Sequence, residues 1–123
     1  MSDKIALRLN QLLADYSVFY QKLRIYHWTV KGPMFFQLHV KFEEMYNAAA
    51  LSVDEIAERI VGLGARPLGR MADYVSPSSL SEADSSPEAA DMVRNLIADQ
   101  RSLVAGLREG SAEAADADDI LTA

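Results

Sequence analysis

Hydrophobic residues recur at helical spacing through most of the chain, and no stretch shows the alternation of a strand. In the first segment Ile5, Leu9, Leu12, Tyr16, Phe19, Leu23 and Val30 form one stripe, while Asp3, Lys4, Arg8, Asn10, Asp15 and Lys22 mostly fall off it. The spacing predicts a helix over about residues 3–31, ended by Gly32-Pro33. A second stripe, Phe35, Leu38, Phe42, Met45, Ala49, Val53, Ile56 and Ile60, predicts a helix over about 34–63, stopped by Gly62 and Gly64. Residues 66–87 are rich in Ser, Pro and Gly and long for a bundle loop, which predicts a crossover with room for a short helix within residues 67–75. A third helix is expected from near Pro87, with Ser86 as its cap and Pro87 at its first position. Its stripe is Met92, Val93, Leu96, Ile97, Leu103, Val104 and Leu107, and it fades near Gly110. Residues 111–123 are acidic and Ala-rich, and read as the start of another helix.

The 123 residues suit a single domain over 1–123, and a hydrophobic content of 50% supplies its core. The absence of cysteine excludes disulfides, iron–sulfur clusters and cysteine nucleophiles. No apolar run approaches the ~20 residues that span a membrane. The start, Met1-Ser2-Asp3-Lys4, leads straight into the helical pattern without a signal-peptide block, so the cytoplasm is the expected compartment. A net charge of −6 without a Lys/Arg-rich tail opposes contact with nucleic acid phosphates and suits a protein that gathers cations.

The chemistry available is narrow. His27 and His39 are the only histidines, and a hairpin turning at Pro33 sets both at one height near its closed end. Either can be an ordinary half-buried residue. The second helix adds context, because His39, Glu43, Asn47, Ala50, Asp54 and Glu58 share one face, distinct from the core stripe. His39 and Glu43 are one turn apart, as are Asp54 and Glu58, a workable spacing for metal ligands. Glu43 and Asp54, however, stand ~16 Å apart at ~1.5 Å per residue. A first-row metal needs ligands at ~2 Å, so one helix cannot bring both pairs to one ion. Symmetry removes the difficulty. His39 and Glu58, Glu43 and Asp54, and Asn47 and Ala50 are each equidistant from a point between residues 48 and 49. A second copy, antiparallel about a two-fold axis there, sets His39 opposite Glu58 and Glu43 opposite Asp54 of its mate. The small residues Ala48-Ala49-Ala50 mark the crossing. The other reading is a solvated acidic face, to which Glu55 and Arg59 belong as an i,i+4 pair.

Here the residues resemble a known family. His27-Trp28-Thr29-Val30-Lys31-Gly32-Pro33 is similar to the H-W-x-V-K-G-P stretch of the Dps proteins, the DNA-binding proteins from starved cells. His39-x-x-x-Glu43 resembles the family's H-x-x-x-D/E, and Asp54-Glu55-Ile56-Ala57-Glu58-Arg59-Ile60 its D-E-x-A-E-R-I. Gly64-Ala65-Arg66-Pro67 resembles the segment that follows, and the likeness runs over about residues 5–110. The resemblance implies an all-α, ferritin-like four-helix bundle with a long crossover between helices 2 and 3, assembled as a homo-oligomeric shell of twelve. It implies ferroxidase centres at the two-fold interfaces, with His27, His39 and Glu43 from one subunit and Asp54 and Glu58 from the other. Iron (Fe2+/Fe3+) is the implied metal and hydrogen peroxide the preferred oxidant, with the ferric product mineralised inside the shell. Trp28 matches a tryptophan beside the centre that surrenders an electron to oxidising intermediates; an aromatic packed at the interface explains it without redox chemistry. The histidines bind metal only when neutral, so activity is expected to fall on acidification. Glu109, Glu113, Asp116, Asp118 and Asp119 lie where the family lines its three-fold pores, and an acidic solvated segment explains them equally.

Two departures stand out. The N-terminal tail is short with a single lysine, so direct DNA binding is expected to be weak or absent, with protection coming from removal of iron and peroxide. The family's fourth long helix should begin where this chain stops, at Ala123, so the sequence reads as C-terminally incomplete, with that helix largely missing. The alternatives are a non-enzymatic helical interaction module or an inactive Dps relative lacking its last helix. A bacterioferritin- or rubrerythrin-like site inside one bundle is disfavoured, because no Glu-x-x-His occurs.

Overall fold

In a computed structural model describing residues 2–83 and 87–123, the apolar stripes become α1 (Ser2–Thr29), α2 (Phe35–Gly62) and α4 (Ala89–Asp116), each of 28 residues. A five-residue helix, α3 (Met71–Val75), sits in the connection between α2 and α4, and no strand occurs among the described residues. Three boundaries move from the sequence expectation. Helix α1 ends two residues early, at Thr29. Helix α4 begins at Ala89 rather than Pro87, because Glu88 stays extended with ψ 153°. The proposed cap, Ser86, lies outside the described residues.

The third shift is at the far end of α4. Gly110 does not end the helix, which continues to Asp116, and residues 117–123 turn instead of starting a new one. A packing reason replaces the breaker reading. A Cβ on Gly106 would come within 3.0 Å of the Leu12 side chain, and one on Gly110 within 3.1 Å of Arg8. These glycines let α4 approach α1 closely, which outweighs the ~1 kcal/mol that glycine costs inside a helix.

Helices α2 and α4 end alike. At α2 the Gly64 N–H donates to the Val61 carbonyl (2.9 Å) and the Ala65 N–H to Ile60 (3.1 Å), with Gly64 at φ +81°. That is a Schellman closure with glycine in the left-handed position. At α4 the Asp118 and Asp119 N–H groups donate to Ala115 and Ala114, and Asp118 takes the left-handed φ of 58°. A side chain is strained there. Asp118→Gly is therefore expected to stabilise the fold by about 1 kcal/mol, seen as a raised midpoint in thermal or urea unfolding.

Helix α1 is the central element. Tyr26–Asn95, Lys22–Asp99 and Arg8–Glu113 contacts align α4 antiparallel to it, and His27–His39 and Tyr20–Tyr46 contacts do the same for α2. Helices α2 and α4 thus run the same way, which the crossover permits. Each packs on α1, and among the described residues the backbones of α2 and α4 do not approach one another closely. Ile97, Val104 and Leu107 on the far side of α4 remain 40–44% exposed, whereas Met92, Leu96 and Leu103 are buried against α1.

Because α1 is enclosed from several sides, two polar residues placed off its core stripe are buried: Asp15 and Lys22. The Asp15 carboxylate accepts from the Ser79 N–H (2.7 Å), from the Ser78 and Ser79 hydroxyls and from Gln11, pinning the crossover to α1. The Lys22 ammonium stands 2.7 Å from Asp99 on α4; the approach is poorly directed for a hydrogen bond, so charge attraction holds the pair.

Candidate metal centre

The α1–α2 turn sets the geometry. Gly32 adopts φ +102°, and the chain reverses within five residues, so the last turn of α1 faces the first turns of α2. His27 and His39 meet there, their rings stacked 3.8 Å apart and 13° from parallel. Each is held by the other's backbone. His27 Nδ1 lies 2.7 Å from the His39 carbonyl oxygen, and His39 Nδ1 lies 2.8 Å from that of His27. A carbonyl oxygen only accepts, so both Nδ1 atoms carry the proton and donate. In the neutral rings the lone pair then sits on Nε2. A metal-binding histidine is commonly oriented in this way, by a hydrogen bond from its other nitrogen.

The surroundings fix the rings further. Phe35 stacks on His39 at 4.9 Å, and Tyr46 meets His27 edge-on at 5.4 Å. The sequence places Phe35 in the core stripe of α2 and gives Tyr46 no role, although Phe35, His39 and Tyr46 follow one another at i, i+4 and i+11 on α2. Glu43 reaches toward the pair, with its Oε1 3.7 Å from His27 Nε2. His27 is buried, His39 half-buried and Glu43 exposed. His27 thus meets both His39 and Glu43 where the end of α1 faces the start of α2.

The other two do not join them. Asp54 and Glu58 are exposed further along the same face, ~16 Å beyond Glu43 at the helical rise. They form a unit of their own. A hydrogen bond to Asp54, then the charge of Asp54, raises the Glu58 pKa above the ordinary carboxylate value, with burial and Glu55 adding to the effect. Two neighbouring carboxylates repel, and a cation between them would relieve that repulsion. Among the described residues no three His, Asp or Glu side chains approach closely enough to hold a metal ion. One subunit thus presents two separate groups, His27–His39–Glu43 and Asp54–Glu58.

Trp28 is 54% exposed and lies under the Arg24 guanidinium, 4.9 Å from its ring centroid. The acidic C-terminal residues do not converge either. Glu109 and Glu113 both engage Arg8, at 3.2 and 2.9 Å, and this bond lowers the Glu113 pKa; Asp119 binds Thr122. Two sequence expectations about α2 change. Ala49 is buried against the subunit's own core, so only Ala48 and Ala50 of the alanine run stay on the surface. Glu55 and Arg59 form no ion pair among the described residues; the Arg59 guanidinium lies over Gly62 instead.

Comparison with known proteins agrees with this architecture. The family model of the ferritin-like domain matches residues 6–123. The chain is 41% identical over 122 residues to DNA protection during starvation protein 2 of Bacillus anthracis, covering 99% of this chain and 84% of that one. It is 40% identical over 119 residues to the DNA protection during starvation protein of Brevibacillus brevis, covering 97% and 80%. A crystal structure of the Dps protein of Vibrio cholerae O1, a member of a broad superfamily of ferritin-like diiron-carboxylate proteins, superposes with a TM-score of 0.95 at 38% identity, over 98% of this chain and 76% of that one.

Proposed function

This chain belongs to the Dps family of the ferritin-like superfamily, and we propose that it stores iron and protects DNA by oxidising ferrous iron with hydrogen peroxide at a site shared by two subunits. The observation that carries the reading is the division of ligands between the α1–α2 turn and the middle of α2. His27 and His39 turn Nδ1 to backbone carbonyls, and His27 Nε2 stands 3.7 Å from Glu43, while the Asp54–Glu58 pair sits further along α2, too distant to serve the same ion. A second subunit, antiparallel about the point between residues 48 and 49, supplies what each half-site lacks.

Iron is substrate and cargo here. Imidazole binds ferrous iron well, and the carboxylates favour the hard ferric product. Two ferrous ions each give one electron to one peroxide; the O–O bond breaks and two protons are taken up, yielding two ferric ions and two water molecules. Pairing the electrons avoids release of hydroxyl radical. Ferric product collects within a homo-oligomer of twelve. Protection of DNA follows from removal of both reactants, since a net charge of −6 disfavours direct binding. No described helix is long and apolar enough to cross a membrane, and a cytoplasmic setting fits the reading.

Anaerobic titration with peroxide tests the proposal. The ferrous iron consumed is expected to approach two per peroxide, with little spin-trapped hydroxyl radical. One iron per peroxide with abundant radical would be uncatalysed Fenton chemistry and would contradict it.

A further inference from the structure

Helix α2 turns apolar residues to the same side as its metal-ligand candidates. Phe36, Val40, Leu51 and Val61 are 78%, 54%, 67% and 60% exposed. At 3.6 residues per turn they fall in roughly the quarter-turn sector that holds Glu43, Asn47, Asp54 and Glu58. Phe42, Ala49 and Ile60 occupy the opposite side and are buried. Leaving four large side chains in water on one face forfeits hydrophobic stabilisation, and such patches mark contact surfaces.

The positions of these residues point to one occupant. Phe36 and Val61 are equidistant from the point between residues 48 and 49, the same centre about which His39 and Glu58, and Glu43 and Asp54, are arranged. Leu51 shares it with Tyr46, which is half-buried beside His27. Ligand chemistry and apolar exposure are independent properties, yet the exposed Phe36–Val61 pair shares the centre of the ligand pairs. Phe36 lies three residues outside His39, and Val61 three residues outside Glu58. We propose that Phe36 of one copy packs on Val61 of the partner subunit and closes the outer end of each shared iron site. The inference rests on the shared-site reading above. Its chemical value is exclusion of water, which strengthens the electrostatics of the ligands and retains reactive intermediates.

The chain has no cysteine, so thiols can be placed one at a time. In the F36C/V61C double variant a short bis-maleimide is expected to link most chains into covalent dimers. F36C or V61C alone is expected to stay monomeric on a denaturing gel. Within one chain the two positions are roughly 37 Å apart at the helical rise, beyond a short linker. In Phe36→Ala, bound ferrous iron is expected to leave to bipyridine several-fold faster than from the wild type. Failure to link a double variant that still oxidises iron would overturn the apolar closure and leave the shared site standing. Failure to link, with no iron oxidation by the wild type either, would overturn both. Equal linking of the single variants would set the helices in another register and overturn the closure, as would unchanged loss of iron from Phe36→Ala.

Discussion

Asp54→Ala is expected to lower peroxide-dependent iron oxidation by about 100-fold or more, because loss of even an outer partner of a metal ligand costs ~10–100-fold. The subunit fold is expected to survive. Asp54 is exposed, and its neighbour Glu58 loses the contact that raises its pKa. The sign of that relief is definite. A carboxyl whose folded pKa lies above its unfolded value penalises the fold at pH values above the unfolded pKa. Removing Asp54 thus favours the metal-free subunit slightly near neutrality, and the gain disappears in acid, where both carboxyls are protonated in either state. Activity lost with stability kept, measured by initial oxidation rate and thermal midpoint, separates a ligand from a solvated acidic face. Normal oxidation by the variant would remove Asp54 from the site.

The largest expected effect on stability lies elsewhere, at the buried Lys22–Asp99 pair between α1 and α4. The two side chains are only 8% and 11% exposed. Asp99→Ala leaves the ammonium buried without its counter-charge, and breaking such a pair from one side costs about 3–5 kcal/mol. That is a large fraction of the ~5–15 kcal/mol that holds a domain together. The double change Lys22→Met with Asp99→Leu removes both charges and keeps the volume. It is expected to restore most of the loss, because a well-packed apolar pair commonly matches a buried ion pair. Urea unfolding of the three proteins reads both effects. A cost below about 1 kcal/mol for Asp99→Ala is the size of a surface pair and would show that water reaches the contact.

How much of this was legible in the sequence depends on the range of the interactions. The helical stripes came through because burial on one side of a helix repeats every 3.6 residues. The face of α2 that carries His39, Glu43, Asp54 and Glu58 came through for the same reason, and the hairpin at Gly32-Pro33 implied that the histidines share one height. What stayed hidden depends on partners remote in the chain. Asp15 reads as a surface residue until Ser78 and Ser79 arrive from the crossover, some 63 residues later, to bond it. Lys22 reads likewise until α4 brings Asp99. Gly110 looks like a stop until Arg8 on α1 shows why a side chain there is excluded. The locked tautomers of His27 and His39 needed coordinates as well, since each is set by the other's carbonyl oxygen.

The central claim is that each iron site draws ligands from two chains, and complementation tests it most directly. Asp54→Ala and His39→Ala are each expected to be inactive alone. When the two are dissociated, mixed in equal amounts and reassembled, about half of the two-fold pairs are mixed. Each mixed pair holds one intact site, with His27, His39 and Glu43 from the first variant and Asp54 and Glu58 from the second. The symmetry predicts recovery of about a quarter of the wild-type rate. A mixture no more active than its two parents would contradict the shared site.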